Sequence, residues 1–144
     1  MPVADILQRK GRHVSTIRSL DTIETAVQKL YEERIGALAV LDRWGKLVGM
    51  LSERDVLHAL ARHGAEALAF EVHELMSPDV TTCTPMDRID GAMQVMTAHR
   101  IRHLPVVENG QLVGLVSIGD LVKHRLDEKE REAAVLMDLT RARH

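Results

Sequence analysis

The chain has 144 residues, 45% of them hydrophobic and 28% charged, with a formal net charge of −2, one cysteine and three aromatic residues, Tyr31, Trp44 and Phe70. That composition describes one soluble folded unit, and charges of both signs are too evenly mixed to form the cationic stripe that follows a nucleic-acid backbone, so nucleic acid is not an expected partner. Cys83, being alone, excludes an intrachain disulfide framework and a cysteine-built zinc site, and suits a reducing compartment.

Val3 to Leu7 reads as a short helical lead, and Val14 to Arg18 as an extended stretch. Ile23, Ala26, Val27 and Leu30 recur at i, i+3, i+4 and i+7, which predicts an amphipathic helix, with Asp21 and Glu24 as its cap. Leu38 to Leu41 and Leu47 to Leu51, joined by Asp42-Arg43-Trp44-Gly45, form a predicted β-hairpin. Gly49 inside its second strand marks close approach of a backbone or a ligand. A helix from Arg54 to about Arg62 follows, then a short helical linker between Glu66 and Met76. The pattern then starts again. Asp87 and Asp90 cap a helix carrying Ile89, Ala92, Met93 and Met96, and a second hairpin joins Leu104 to Val107 with Leu112 to Val116 through Asn109-Gly110. Pro105 implies a strand start or edge, Gly114 repeats Gly49, and a last helix begins at Asp120. After Leu126 comes a mixed-charge run, Asp127 to Glu132, then Ala133 to Leu139, expected to be helical. Two readings of this tail stand: a solvated helix with one face on its own unit, or Val135, Leu136 and Leu139 packing on a second subunit.

The two passes are one repeat. A shift of 66 residues aligns Val14-Ser15-Thr16 with Val80-Thr81-Thr82, Asp21 with Asp87, Arg34-Ile35 with Arg100-Ile101, and Val40 with Val106. The shorter second turn removes a residue, and a shift of 65 then aligns Gly45 to Gly49 with Gly110 to Gly114, Ser52 with Ser117, and Asp55 with Asp120. Self-similarity on this scale fixes the architecture before any motif is weighed. The expected fold is α/β (α+β), with two β-α-β-β-α repeats packed sheet to sheet, at residues 3–66 and 67–126, and a helical tail at 127–144.

Arg34 to Val40, Leu47 to Asp55, Arg100 to Val107 and Leu112 to Asp120 together resemble the cystathionine-β-synthase (CBS) domain, and the pair resembles a Bateman module standing alone. The resemblance covers residues 3 to 126, twice over. It implies a binding module without catalysis that senses adenine nucleotides or other adenosyl ligands in the clefts between paired repeats. It also implies homodimers in which two modules form a flat disc.

Ser52 and Asp55, like Ser117 and Asp120, are spaced three apart at a strand-to-helix junction. One reading is a capping box, worth about 0.5–2 kcal/mol. The other is a ligand site: a helix start offers free N–H groups to an anion, and a carboxylate there can accept both hydroxyls of a ribose. The CBS resemblance implies the second, with the aspartate on ribose and the hydroxyl near phosphate. Charge separates the two clefts, because Arg102 and His103 precede the second repeat's buried strand where the first has Gly36 and Ala37. By the resemblance, Asp55 with Arg102 and His103 makes the better-equipped phosphate site, and the cleft of Asp120 relies on Arg54. The two sites are then expected to differ in affinity, or only one to be filled. Met50 and Leu115 flank the base on the same resemblance.

Other chemistries lack their residues. There is no Gly-x-Gly-x-x-Gly or Walker-type loop, and Gly45-Lys46 is followed by leucine. No pair among the eight histidines shares a helix at i, i+4 beside a carboxylate, so no metal is expected. Cys83 has no flanking base, and no nucleophile with its base is found, so no enzyme is expected. Asp5, Arg9 and Lys10 interrupt any signal peptide, and Ile35 to Leu41 falls far short of the ~18 residues of a membrane span, so a cytoplasmic protein is expected. Two functions follow: a sensor of AMP-, ADP- or ATP-type nucleotides acting in trans on an unidentified regulated protein, or a ligand-independent dimeric adaptor. S-adenosylmethionine is the alternative ligand without phosphate.

Overall fold

Helix α1 (Val3–Lys10) opens a chain whose computed structural model describes residues 1–142. It is followed by β1 (Thr16–Arg18), α2 (Ile23–Glu33), β2 (Ala37–Leu41), β3 (Leu47–Ser52) and α3 (Glu53–His63). A 3-10 turn (Gly64–Ala69) and α4 (Val72–Leu75) lead to α5 (Ile89–His99), β4 (His103–Glu108), β5 (Gln111–Ser117) and α6 (Ile118–Ala142). The mixed α/β repeat is present twice. The linker expected to be helical between Glu66 and Met76 is a 3-10 turn and one turn of α-helix.

The two halves share fine detail. Helices α2 and α5 both end on an arginine in the left-handed region, Arg34 at φ 54° and Arg100 at φ 55°. Behind each cap the next N–H reaches back into the helix, from Ile35 to the Leu30 carbonyl and from Ile101 to the Met96 carbonyl, as in a Schellman ending. Glycine usually takes this conformation, and a side chain there costs about 1–2 kcal/mol. The aspartates expected to cap these helices lie one residue too early. Thr22 caps α2, accepting from the Thr25 N–H, while Asp21 and Asp87 accept from the N–H groups of Arg18 and Thr84 and close the preceding turns.

The first sheet has three strands in the order β1-β2-β3, with β1 parallel to β2 and β2 antiparallel to β3. The second has only β4 and β5, antiparallel, plus a single parallel bridge from Cys83 to Val106. Proline explains the missing strand. In the first half the Ala39 N–H donates to the Ser15 carbonyl at 3.2 Å, and Pro105, at the equivalent position, has no N–H to give. Pro105 is thus the third residue of β4, not its start, with its bare nitrogen on the strand's outer side. Burial, with Asp87 adding to it, pushes the Cys83 thiol up to about 12, which keeps it protonated and unreactive.

Each half is completed by the helix that leads into the other. Val3, Ile6 and Leu7 of α1 belong to the core of the second half, among Ile89, Met96, Leu104, Val116 and Leu121. Val72 of α4 belongs to the core of the first, with Ile23, Leu38, Val40 and Leu51. The in-strand glycines are where these helices dock. A β-carbon on Gly114 would stand 2.5 Å from Leu7 Cδ2, and one on Gly49 would collide with Met76 Sδ and come within 3.0 Å of the Ser77 carbonyl oxygen. Close approach here is by the chain's own backbone and core, so glycine is the residue that fits.

Helix α6 runs without a break through the junction placed at residue 126. Its Leu121 and His124 are buried, and every residue from 129 to 141 is exposed, Val135, Leu136 and Leu139 included. That stretch therefore presents no face to its own module.

Candidate functional site

Strand β3 ends at Ser52 and α3 starts at the next residue, so Ser52 and Asp55 meet at a helix N-terminus. The Ser52 N–H donates to Asp55 Oδ2 at 2.9 Å, and the Asp55 N–H donates to Ser52 Oγ at 3.2 Å. Ser117 and Asp120 repeat the arrangement at 2.9 and 3.1 Å. Both capping boxes are complete. They do not compete with a ligand for the whole carboxylate, because the cap engages Oδ2 of each aspartate and leaves Oδ1 without a hydrogen bond among the described residues.

Asp55 opens onto a cleft of about 350 Å³ between the two halves. Ser52, Arg54 and Met50 line one side, and Arg100 and Arg102 from the turn before β4, with His103 at that strand's start, line the other. Gly36 lies beside the imidazole, where a β-carbon would make ordinary contact with His103 Cε1 at 3.5 Å. Burial pushes His103 below its ordinary value, the Lys10 ammonium adds to that, Asp120 and Glu53 oppose it, and Arg102 adds a smaller push down. The folded chain therefore holds a neutral imidazole while the unfolded chain protonates first. Stability is expected to fall as pH drops below about 6.5 toward the depressed folded value. Urea unfolding between about pH 7 and about pH 5 should show this slope, and His103→Gln should flatten it. An unchanged slope would assign the acid sensitivity elsewhere.

The second junction faces different surroundings. Lys10 Nζ donates to Asp120 Oδ2 at 2.6 Å, and Arg9 donates to Asp127 Oδ2 at 3.0 Å. Only a groove of about 220 Å³ remains there, between α1 and α6. Burial works to raise the Asp120 carboxyl, but the Lys10 ammonium and the Ser117 donors outweigh it and hold the group below its ordinary value.

The sequence reading paired Arg54 with Asp120, whereas the structure places Arg54 on the wall of the Asp55 cleft and gives Asp120 to Lys10. The reason is local: Arg54 is in the first turn of α3, beside Asp55. Met50 lines the first cleft, and Leu115 and Ser117 line neither cavity described here. Glu53, Asp79, Thr81 and Arg100 line the first cleft without having been singled out from sequence. Arg100 carried a signal, because it aligns with Arg34 at a helix end where glycine would be usual. Among the described residues no group of three His, Cys, Asp or Glu side chains is placed to hold a metal, and no helix is long and apolar enough to cross a membrane.

Known proteins share this fold. Residues 3–62 and 72–127 each match the CBS domain. A CBS-domain containing protein from Agrobacterium tumefaciens superposes with a TM-score of 0.83, at 42% identity over 86% of this chain and 92% of its own. A CBS domain protein from Pyrobaculum aerophilum, solved in complex with AMP, has a TM-score of 0.75 at 28% identity, covering 83% of this chain and 89% of its own. A CBS domain pair solved with 5-methylthioadenosine and S-adenosyl-L-methionine has a TM-score of 0.79 at 27% identity, covering 89% and 98%. With two matches in tandem and the same repeated fold, the chain belongs to the CBS-domain family, as a CBS-domain pair.

Proposed function

We propose that this chain is a regulatory module that binds an adenosyl ligand in the Asp55 cleft and passes its occupancy to a partner protein. The observation that carries this reading is the juxtaposition of the Ser52–Asp55 junction with Arg100, Arg102 and His103 across one cleft of about 350 Å³. Asp55 Oδ1 accepts from the ribose hydroxyls. The helix start and Ser52 hydroxyl lie toward the phosphate, and the guanidinium groups engage it in charge-assisted bonds. Met50 offers an apolar wall to the base. The relatives solved with AMP and with methylthioadenosine and S-adenosylmethionine support the adenosyl class.

Charge narrows the ligand. Arg54, Arg100 and Arg102 share the cleft with Glu53, Asp55 and Asp79, so guanidinium and carboxylate groups balance. A monophosphate leaves less uncompensated charge there than a triphosphate, and AMP is expected to bind more tightly than ATP. No catalytic step is assigned to these residues, since none pairs a nucleophile with its base. The module acts in trans, in the cytoplasm and as a homodimer.

Isothermal titration calorimetry against AMP, ADP, ATP, S-adenosylmethionine and NAD tests the reading. AMP is expected to bind, and Arg102→Ala to weaken it by about 10- to 100-fold, the loss of one charged hydrogen bond. Completed caps at both junctions favour the second reading, a ligand-independent adaptor, and absence of heat with every ligand would make that the function.

A further inference from the structure

The two Ser-Asp junctions are equivalent, but the chain that passes in front of them is not the same. A shift of 69 residues aligns Leu7 on Gly114 with Met76 on Gly49, so Gln8-Arg9-Lys10 correspond to Ser77-Pro78-Asp79. In the first cleft α4 stops at Leu75, Met76 is already extended at ψ 157°, and Pro78 keeps Ser77 out of the helical conformation after it. The chain then runs extended, and Ser77 bridges Met50 of β3, its N–H and carbonyl bonding that residue's at 2.9 and 3.1 Å. That leaves the space in front of Asp55 open.

In the second cleft no proline intervenes. Helix α1 continues one turn further, to Lys10, and ends only at Gly11 with φ 94°. Leu7, 1% exposed, pins this turn against β5, and Arg9 ties it to Asp127 on α6. The turn delivers the Lys10 ammonium to the carboxylate equivalent to Asp55.

We propose that the last turn of α1 is an internal gate on the second cleft, with Lys10 held on Asp120 Oδ2 so that its side chain stands in front of the carboxylate and blocks a ligand's ribose from reaching Oδ1. The inference rests on the adenosyl-ligand reading of the first cleft. One chain then binds one ligand, and a second enters only when Gln8 to Lys10 swing away from α6. An isolated surface ion pair would be a weak barrier, but here a turn anchored by a buried leucine must move with it.

Exchanging the two segments tests the gate, with AMP as the probe in calorimetry on the full chain. The triple variant Gln8→Ser, Arg9→Pro, Lys10→Asp, which installs the first cleft's segment, is expected to raise the stoichiometry from one AMP per chain to two. The reverse exchange, Ser77→Gln, Pro78→Arg, Asp79→Lys, is expected to abolish binding. Lys10→Ala alone leaves α1 intact and is expected to add a second, weaker binding event, so the test survives if a triple variant does not fold. Two sites in the unaltered chain, or a single site in both the first triple variant and Lys10→Ala, would overturn the gate and leave the reading of the first cleft standing. Absence of AMP binding in every protein would overturn that reading, and the gate with it.

Discussion

Asp55→Ala is expected to weaken AMP binding by about 100-fold or more, while Asp120→Ala leaves it within about twofold. The comparison is informative because both aspartates make the same cap, with donors at matching distances. Either substitution removes a capping box, and each is expected to cost about 0.5–2 kcal/mol in urea unfolding. Only Asp55 also faces an open cleft with arginines across it, whereas Asp120 faces Lys10. A cap-only role predicts a stability loss in each variant, with the Lys10 ion pair adding to that of Asp120, and no change in calorimetry. Equal losses of AMP affinity in the two variants would instead indicate two working sites.

Leu7→Ala is expected to destabilise the chain by about 2–5 kcal/mol, with the damage in the second half rather than in the first. Leu7 is 1% exposed and fills the space above Gly114, so truncation leaves a cavity between α1 and β5. Hydrogen exchange should accelerate in α5 and β5, whose Met96 and Val116 share its core, before it does in α2 and β2. Faster exchange confined to residues 3–10 would mean that α1 frays without supporting that core.

The repeat, the hairpins and the helices were legible in the sequence because hydrophobic period and turn chemistry are local signals that occur twice. Asn109-Gly110 shows the mechanism, with both residues at positive φ in the turn between β4 and β5. Pro105 was legible as an edge signal, but its effect, the loss of a strand where the first half has β1, needed the Ala39 hydrogen bond for comparison. The polar residues at the two junctions were legible as pairs by spacing. Which residues face them was not, because that depends on tertiary crossing: α1 packs on the half it does not precede. The role of Lys10 follows from helix length, and the only sequence sign of it is the proline present at Pro78 and absent at Arg9. Arg54 was misplaced for the same reason, since alignment between repeats says which positions correspond and not which wall each side chain joins.

The crossed helices also set an order of events during synthesis. Val72 leaves the ribosome soon after the strands it covers, so the first half can close early. Helix α1 emerges first, yet its core partners extend to Leu121. At roughly 5–20 residues per second, Val3, Ile6 and Leu7 stay uncovered for on the order of ten seconds. The first segment made is thus among the last to dock, and for that interval the nascent chain carries an apolar helix that a chaperone can hold.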